Sequence, residues 1–158
     1  MKAEGRLASM IRVNHAGEYG ARRIYQGQLA VIAPGEDAER IRHMAAQEEA
    51  HLRHFEEVMV AQRVRPSLLL PLWHAGGFAL GAATALLGRE AAYACTVAVE
   101  SVIDRHYAEQ EQALAETADA VESELKTTVR RFRAEEMEHH DTSLEQGALN
   151  APAYPLLN

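Results

Sequence analysis

Gln47-Glu48-Glu49-Ala50-His51 and Glu135-Glu136-Met137-Glu138-His139 share one spacing, a glutamate followed three residues later by a histidine. On a helix, residues three apart lie on the same face, so each pair aims a carboxylate and an imidazole at a common point. An isolated glutamate precedes each pair: Glu18 stands 30 residues before Glu48, and Glu100 stands 36 before Glu136. Each interval accommodates one antiparallel helical hairpin. The chain therefore reads as two related hairpins, and four helices can offer four glutamates and two histidines to two metal ions in a bundle core. That is the ligand set of a di-iron carboxylate site.

Spacing alone would be weak support in a chain with 23 acidic residues and 8 histidines. About one such pair arises by chance at that composition, and most would be solvated helix faces. The neighbours change the reading. Glu100 interrupts Ala94-Cys95-Thr96-Val97-Ala98-Val99-Glu100-Ser101-Val102-Ile103, the composition of a buried helix, where an unpaired carboxylate is costly and a metal ion would resolve the cost. Glu18 sits among the small residues of Asn14-His15-Ala16-Gly17-Glu18-Tyr19-Gly20-Ala21, which allow a helix or substrate to approach closely.

With 158 residues and 47% apolar content, the chain is expected to form a single domain over residues 1–158 with a real core. Its net charge of -7 and the lack of any basic stretch beyond Arg130-Arg131 with Arg133 exclude nucleic acid as a partner. The single Cys95 excludes an internal disulfide and reads as a small apolar core residue. Met1 to Gly5 has no secretory character, so the expected place of action is where the protein is made, unless a targeting segment has been removed.

Apolar positions recurring at three and four predict five helices, over residues 5–32, 36–64, 67–87, 89–116 and 118–146, and no strand. Ala33-Pro34-Gly35, Arg65-Pro66-Ser67 and Gly88 mark boundaries. Residues 148–158, with Pro152 and Pro155, read as an extended C-terminal segment.

Between Pro66 and Gly88 there is no charged residue, and by length alone this is a membrane-spanning candidate. A crossing here would place Glu18, Glu48 and His51 on one side of the bilayer and Glu100, Glu136 and His139 on the other, which one shared metal site forbids. The segment is instead read as a crossover helix between the hairpins, with apolar surface lying on a membrane or a partner; Pro71, Trp73 and His74 suit an interfacial helix. A buried helix of an ordinary soluble bundle is the other reading of the same residues.

Arg12-Val13-Asn14-His15-Ala16-Gly17-Glu18-Tyr19-Gly20-Ala21, Arg63-Val64-Arg65-Pro66, Leu86-Leu87-Gly88, the run from Ala94 to Glu100, and Glu135-Glu136-Met137-Glu138-His139-His140-Asp141 occur in that order. Together they resemble the demethoxyubiquinone hydroxylase family of ubiquinone biosynthesis, over nearly the whole chain. The resemblance implies an all-α, ferritin-like four-helix bundle with the extra apolar crossover helix. It also implies two non-haem irons that activate O₂, and hydroxylation of the ring of a demethoxyubiquinol. Glu18, Glu48, His51, Glu100, Glu136 and His139 match the family's six metal ligands, with Glu48 and Glu136 bridging and Glu18 and Glu100 terminal. It further implies peripheral attachment to the membrane surface, at the cytoplasmic face of a bacterial inner membrane or the matrix face of a mitochondrial one. A second copy of the chain, or a lipid-binding protein of the same pathway, is the protein partner it suggests. Beyond Tyr154 it implies a final helix, so the extended segment is read either as cut short before that helix or as the mark of a branch without it.

Hard carboxylates with two imidazoles suit ferrous and ferric ions and leave positions open for O₂. Tyr107 follows Glu100 by two helical turns on the same face, and the resemblance suggests proton and electron delivery for the His106-Tyr107 pair; a surface histidine beside a core tyrosine fits these residues equally well. His140 and Asp141 are candidates to orient the ligating imidazoles. His15, His43, His54 and His74 carry no assigned role, solvated or capping histidines being the default. No Gly-x-Gly-x-x-Gly fingerprint occurs, so electrons from NADH or from the quinol itself must arrive without a Rossmann domain. Two other classes compete: iron handling without oxygenation, as in ferritin or rubrerythrin relatives, and a non-enzymatic helical scaffold at a membrane.

Overall fold

The structure is a computed structural model that describes residues 2–152 and 154, with side chains from residue 5 onward. Five α-helices follow one another, α1 (Lys2–Leu29), α2 (Glu36–Ala61), α3 (Leu70–Leu86), α4 (Arg89–Ala113) and α5 (Ala120–Glu145), with a short 3-10 turn over Ala148–Asn150. No strand occurs among the described residues. The chain is thus all-α, with the element content of a ferritin-like helical bundle. Each predicted helix is present, with ends displaced by a few residues, and the chain divides into two compact units at Ala92 and Tyr93.

The first unit contains α1, α2, α3 and the opening turn of α4. Along α1 the buried positions include Ile11, Asn14, Glu18, Ala21, Tyr25 and Gln28, a stripe stepping by three and four that turns one face inward. On α2 the inward stripe is Ile41, Met44, Glu48, His51, Leu52, Phe55 and Met59. The two helices run antiparallel, and Arg22 pairs with Glu49 at 2.9 Å across them. Arg89 grips Asp37 through two contacts of 2.8 and 3.0 Å, tying the start of α4 to the start of α2.

Helix α3 runs parallel to α1 and lies against it with backbone in near contact. A methyl group at Gly27 would overlap the carbonyl of Phe78, and one at Gly81 would overlap that of Ile24, so glycine is required at both positions. The opposite side of α3 is not a core face: Leu72 is 64% exposed and Trp73 45%, Leu86 is exposed too, and so are the flanking Leu68, at 96%, and Leu87. The reading of this segment as a fully buried helix is therefore displaced by a surface helix with a large bare apolar side. Among the described residues no helix is long and apolar enough to cross a membrane.

The second unit pairs the rest of α4 with α5. Glu100, Ile103, Tyr107 and Gln110 form the inward stripe of α4, continued by Leu114 just past its end, and Leu125, Val129, Phe132, Glu136, His139 and Ser143 form that of α5. Arg133 reaches Asp104 at 2.6 Å, and Arg130 reaches Glu111 at 2.7 Å, which sets the two helices antiparallel. Asp119 caps α5 by accepting from the Glu122 amide at 3.0 Å, and the Thr117 hydroxyl donates to Glu122 at 2.7 Å. Gly147, at φ 96°, ends α5 in the left-handed region that favours glycine, and the chain makes the 3-10 turn before Ala151 resumes an extended conformation. Of the predicted C-terminal extended segment, residues 153 and 155–158 lie outside the described residues.

Candidate metal centre

Each unit brings its own Glu and Glu-x-x-His together. In the first, Glu18 from α1 faces Glu48 and His51 from α2; each offers a ligand atom, and these lie within 4.8 Å of one another. His51 Nδ1 is 3.5 Å from the Glu18 carboxylate. In the second, Glu100 from α4 faces Glu136 and His139 from α5, again with ligand atoms inside 4.8 Å. There His139 Nδ1 lies 3.7 Å from Glu100 and 3.2 Å from Glu136. All six residues are buried, at positions where the amphipathic pattern of each helix calls for an apolar side chain. The repeat seen in the sequence is thus a repeat in geometry, a lone glutamate on the first helix of a hairpin opposite the histidine of the second.

The electrostatics of the second half-site show what it lacks. Burial, reinforced by the neighbouring Glu136 carboxylate, pushes Glu100 up to about 8. Burial pulls His139 down, but hydrogen bonds and charge from Glu100 and Glu136 outweigh it and lift the imidazole to about 9. Two carboxylates face one imidazole in a dry environment, which favours binding of protons there. A divalent cation would displace those protons and bind oxygen and nitrogen donors with no sulfur, the set that suits iron or manganese. The residues fit such an ion.

The other sequence-predicted residues fall into place unevenly. Tyr107 is buried on the Glu100 face of α4, whereas His106 is exposed and is not brought to the carboxylates. His140 Nδ1 lies 3.0 Å from Asp141, the two pairing with each other. Glu49, one residue off the ligand register, turns outward to Arg22 as the 100° step per residue requires. His15 departs from expectation: it is 5% exposed and lies one turn before Glu18, so it is neither solvated nor a cap. Its distance of three residues from Glu18 was the available signal. Tyr19 bonding to His74 at 2.7 Å was not foreseeable, because it depends on how α3 crosses α1.

All-helical units that present Glu and Glu-x-x-His sets in buried positions define a class of helical-bundle proteins whose carboxylates and histidines could hold a metal ion. Residues 5–158 match the family model described as "Ubiquinone biosynthesis protein COQ7", and the chain belongs to that family. It is similar to a rat protein named "NADPH-dependent 3-demethoxyubiquinone 3-hydroxylase, mitochondrial", with 55% identity over 94% of this chain and 68% of the relative. A Rhodospirillum rubrum protein named "3-demethoxyubiquinol 3-hydroxylase" is 52% identical over 94% of this chain and 68% of its own length. A yeast protein named "5-demethoxyubiquinone hydroxylase, mitochondrial" is 42% identical over 96% and 70%.

Proposed function

We propose that the protein is a demethoxyubiquinol hydroxylase of ubiquinone biosynthesis. Glu18, Glu48, His51, Glu100, Glu136 and His139 together hold two iron ions in a single domain. The observation that carries this reading is the pair of matching buried half-sites in a chain more than half identical to hydroxylases. Iron held by this donor set supplies activation of O₂ and delivery of one oxygen atom to the substrate ring. The chain's own part is to position and to exclude: each helical pair presents its glutamates and histidine on one inward face, and the apolar stripe of that pair keeps bulk water from them. Tyr107, buried two turns beyond Glu100, is the residue placed to relay a proton or electron; exposed His106 would serve only as its link to solvent. The reductant is a reduced nicotinamide, the relatives' names specifying NADPH, and it acts without a Rossmann domain.

The exposed apolar side of α3 would lie on the membrane that contains the polyprenyl substrate, giving peripheral attachment. A soluble iron-storage protein has no use for such a surface, which weighs against the iron-handling alternative. The deciding measurement is conversion of demethoxyubiquinol by iron-loaded protein beside a Glu136→Ala variant, with iron counted per chain. Two irons and turnover in the parent, with turnover lost in the variant, are expected. Equal activity in the two proteins would sink the assignment.

A further inference from the structure

We propose that His15, with Tyr19 and Arg22 beside it on α1, is the hydrogen-bonding site for a ring oxygen of the quinol substrate; this rests on the hydroxylase reading above. Among the described residues, neither Nδ1 of His15 nor Nε of Arg22 has a hydrogen-bond partner, although both atoms are buried. Buried polar atoms without partners are rare in folded proteins because they forfeit their water without replacement. Two of them flank one aromatic ring. The Tyr19 and His15 rings lie 6.3 Å apart, and the Arg22 guanidinium stands 5.0 Å over Tyr19.

The chemistry of the group identifies its ligand. Arg22 is already paired with Glu49, so its charge is offset and no anion is called for. Burial pulls His15 below its usual range, Glu56 opposes this and Arg22 adds to it; the neutral imidazole that results can donate from one nitrogen and accept at the other. A neutral planar molecule with oxygens on its ring satisfies these atoms, and a quinol is one. Position supports the assignment, because His15 is one turn from Glu18 on an adjoining part of the helix face. Tyr19 donates or accepts at His74 Nδ1, 2.7 Å away, and His74 follows the exposed Leu72 and Trp73 of α3. A polyprenyl tail leaving the ring would thus meet the bare apolar side of α3.

The test uses the full chain, metal-free and iron-loaded, with a demethoxyubiquinone analogue carrying a short alkyl tail. Binding is read from quenching of Trp73, the sole tryptophan. His15→Phe keeps ring shape and removes both nitrogens, and His15→Asn returns an amide nitrogen near the former Nδ1 whereas His15→Gln places it further out. Expected are an affinity at least tenfold lower for the Phe and Gln variants in metal-free protein, a matching rise in KM, and near-parental affinity for the Asn variant. Iron content should stay at the parental value throughout. Phe or Gln binding within twofold of the parent would overturn the proposal and leave His15 as a buried histidine bridged by trapped water. If the Phe variant fails to fold, equal affinities for Asn and Gln would overturn it as well. Parental protein that binds the analogue through His15 but never turns over would instead defeat the hydroxylase reading, leaving the binding site standing.

Discussion

Glu100 and His139 each bind a proton more tightly in the folded chain than in the unfolded one, and this couples the candidate metal site to pH. Glu100 moves from 4.5 to about 8 and His139 from 6.5 to about 9. Both shifts are upward, so the folded state binds more protons than the unfolded state between these values. Stability from this source is full below about pH 4.5 and is lost as pH rises through 8 and 9. Metal-free protein should accordingly melt at a falling temperature from pH 5 to pH 9, measurable by differential scanning fluorimetry. Iron binding, which expels those protons, should reverse the trend by strengthening as pH rises. Glu100→Gln should flatten the metal-free profile; a slope unchanged by that substitution would remove Glu100 from the account. Tyr107→Phe tests the relay: kcat should fall tenfold or more while iron content and KM hold, and an unaltered kcat would leave Tyr107 as a core residue only.

The α1–α3 pair is held by close backbone approach, and Gly27 and Gly81 make that approach possible. Gly81→Leu forces a side chain into the Ile24 backbone and should cost about 1–3 kcal/mol, read as a lower denaturation midpoint. A neutral result would show that α3 can lift without penalty. The bare side of the same helix predicts vesicle binding: Leu69→Glu with Leu72→Glu should abolish co-sedimentation with phospholipid vesicles while iron content stays intact. Retention of binding would place the membrane contact elsewhere. The sequence announced both the helices and the candidate metal residues because their signal is local: periodicity of three and four, a glutamate and a histidine on one face, a glutamate in an apolar run. It did not announce His15, Tyr19 and His74 as neighbours, since two of them lie on α1 and the third on α3. Only the crossing set by the glycines brings them together. His106 illustrates the converse: adjacency to Tyr107 in sequence put it on the exposed side of α4, one 100° step away.

Two hairpins with the same ligand order raise the question of whether they serve one centre or two independent sites. Each half-site offers two carboxylates and one imidazole, fewer donors than a six-coordinate iron requires and enough for half of a dinuclear site. If all six residues serve one centre, removing Glu48 or Glu136 damages the same object. The losses should then be non-additive, as they are wherever groups act as a unit. Glu48→Ala and Glu136→Ala should each abolish turnover and lower iron from two per chain to one or none, and the double variant should be little worse than either single. Two separate mononuclear sites would behave otherwise, each single variant losing one iron and the double losing both, with independent effects on melting temperature. The measurement is iron content by atomic spectroscopy with thermal melts on the four proteins of the cycle. Additive losses would dissolve the shared centre into two mononuclear sites.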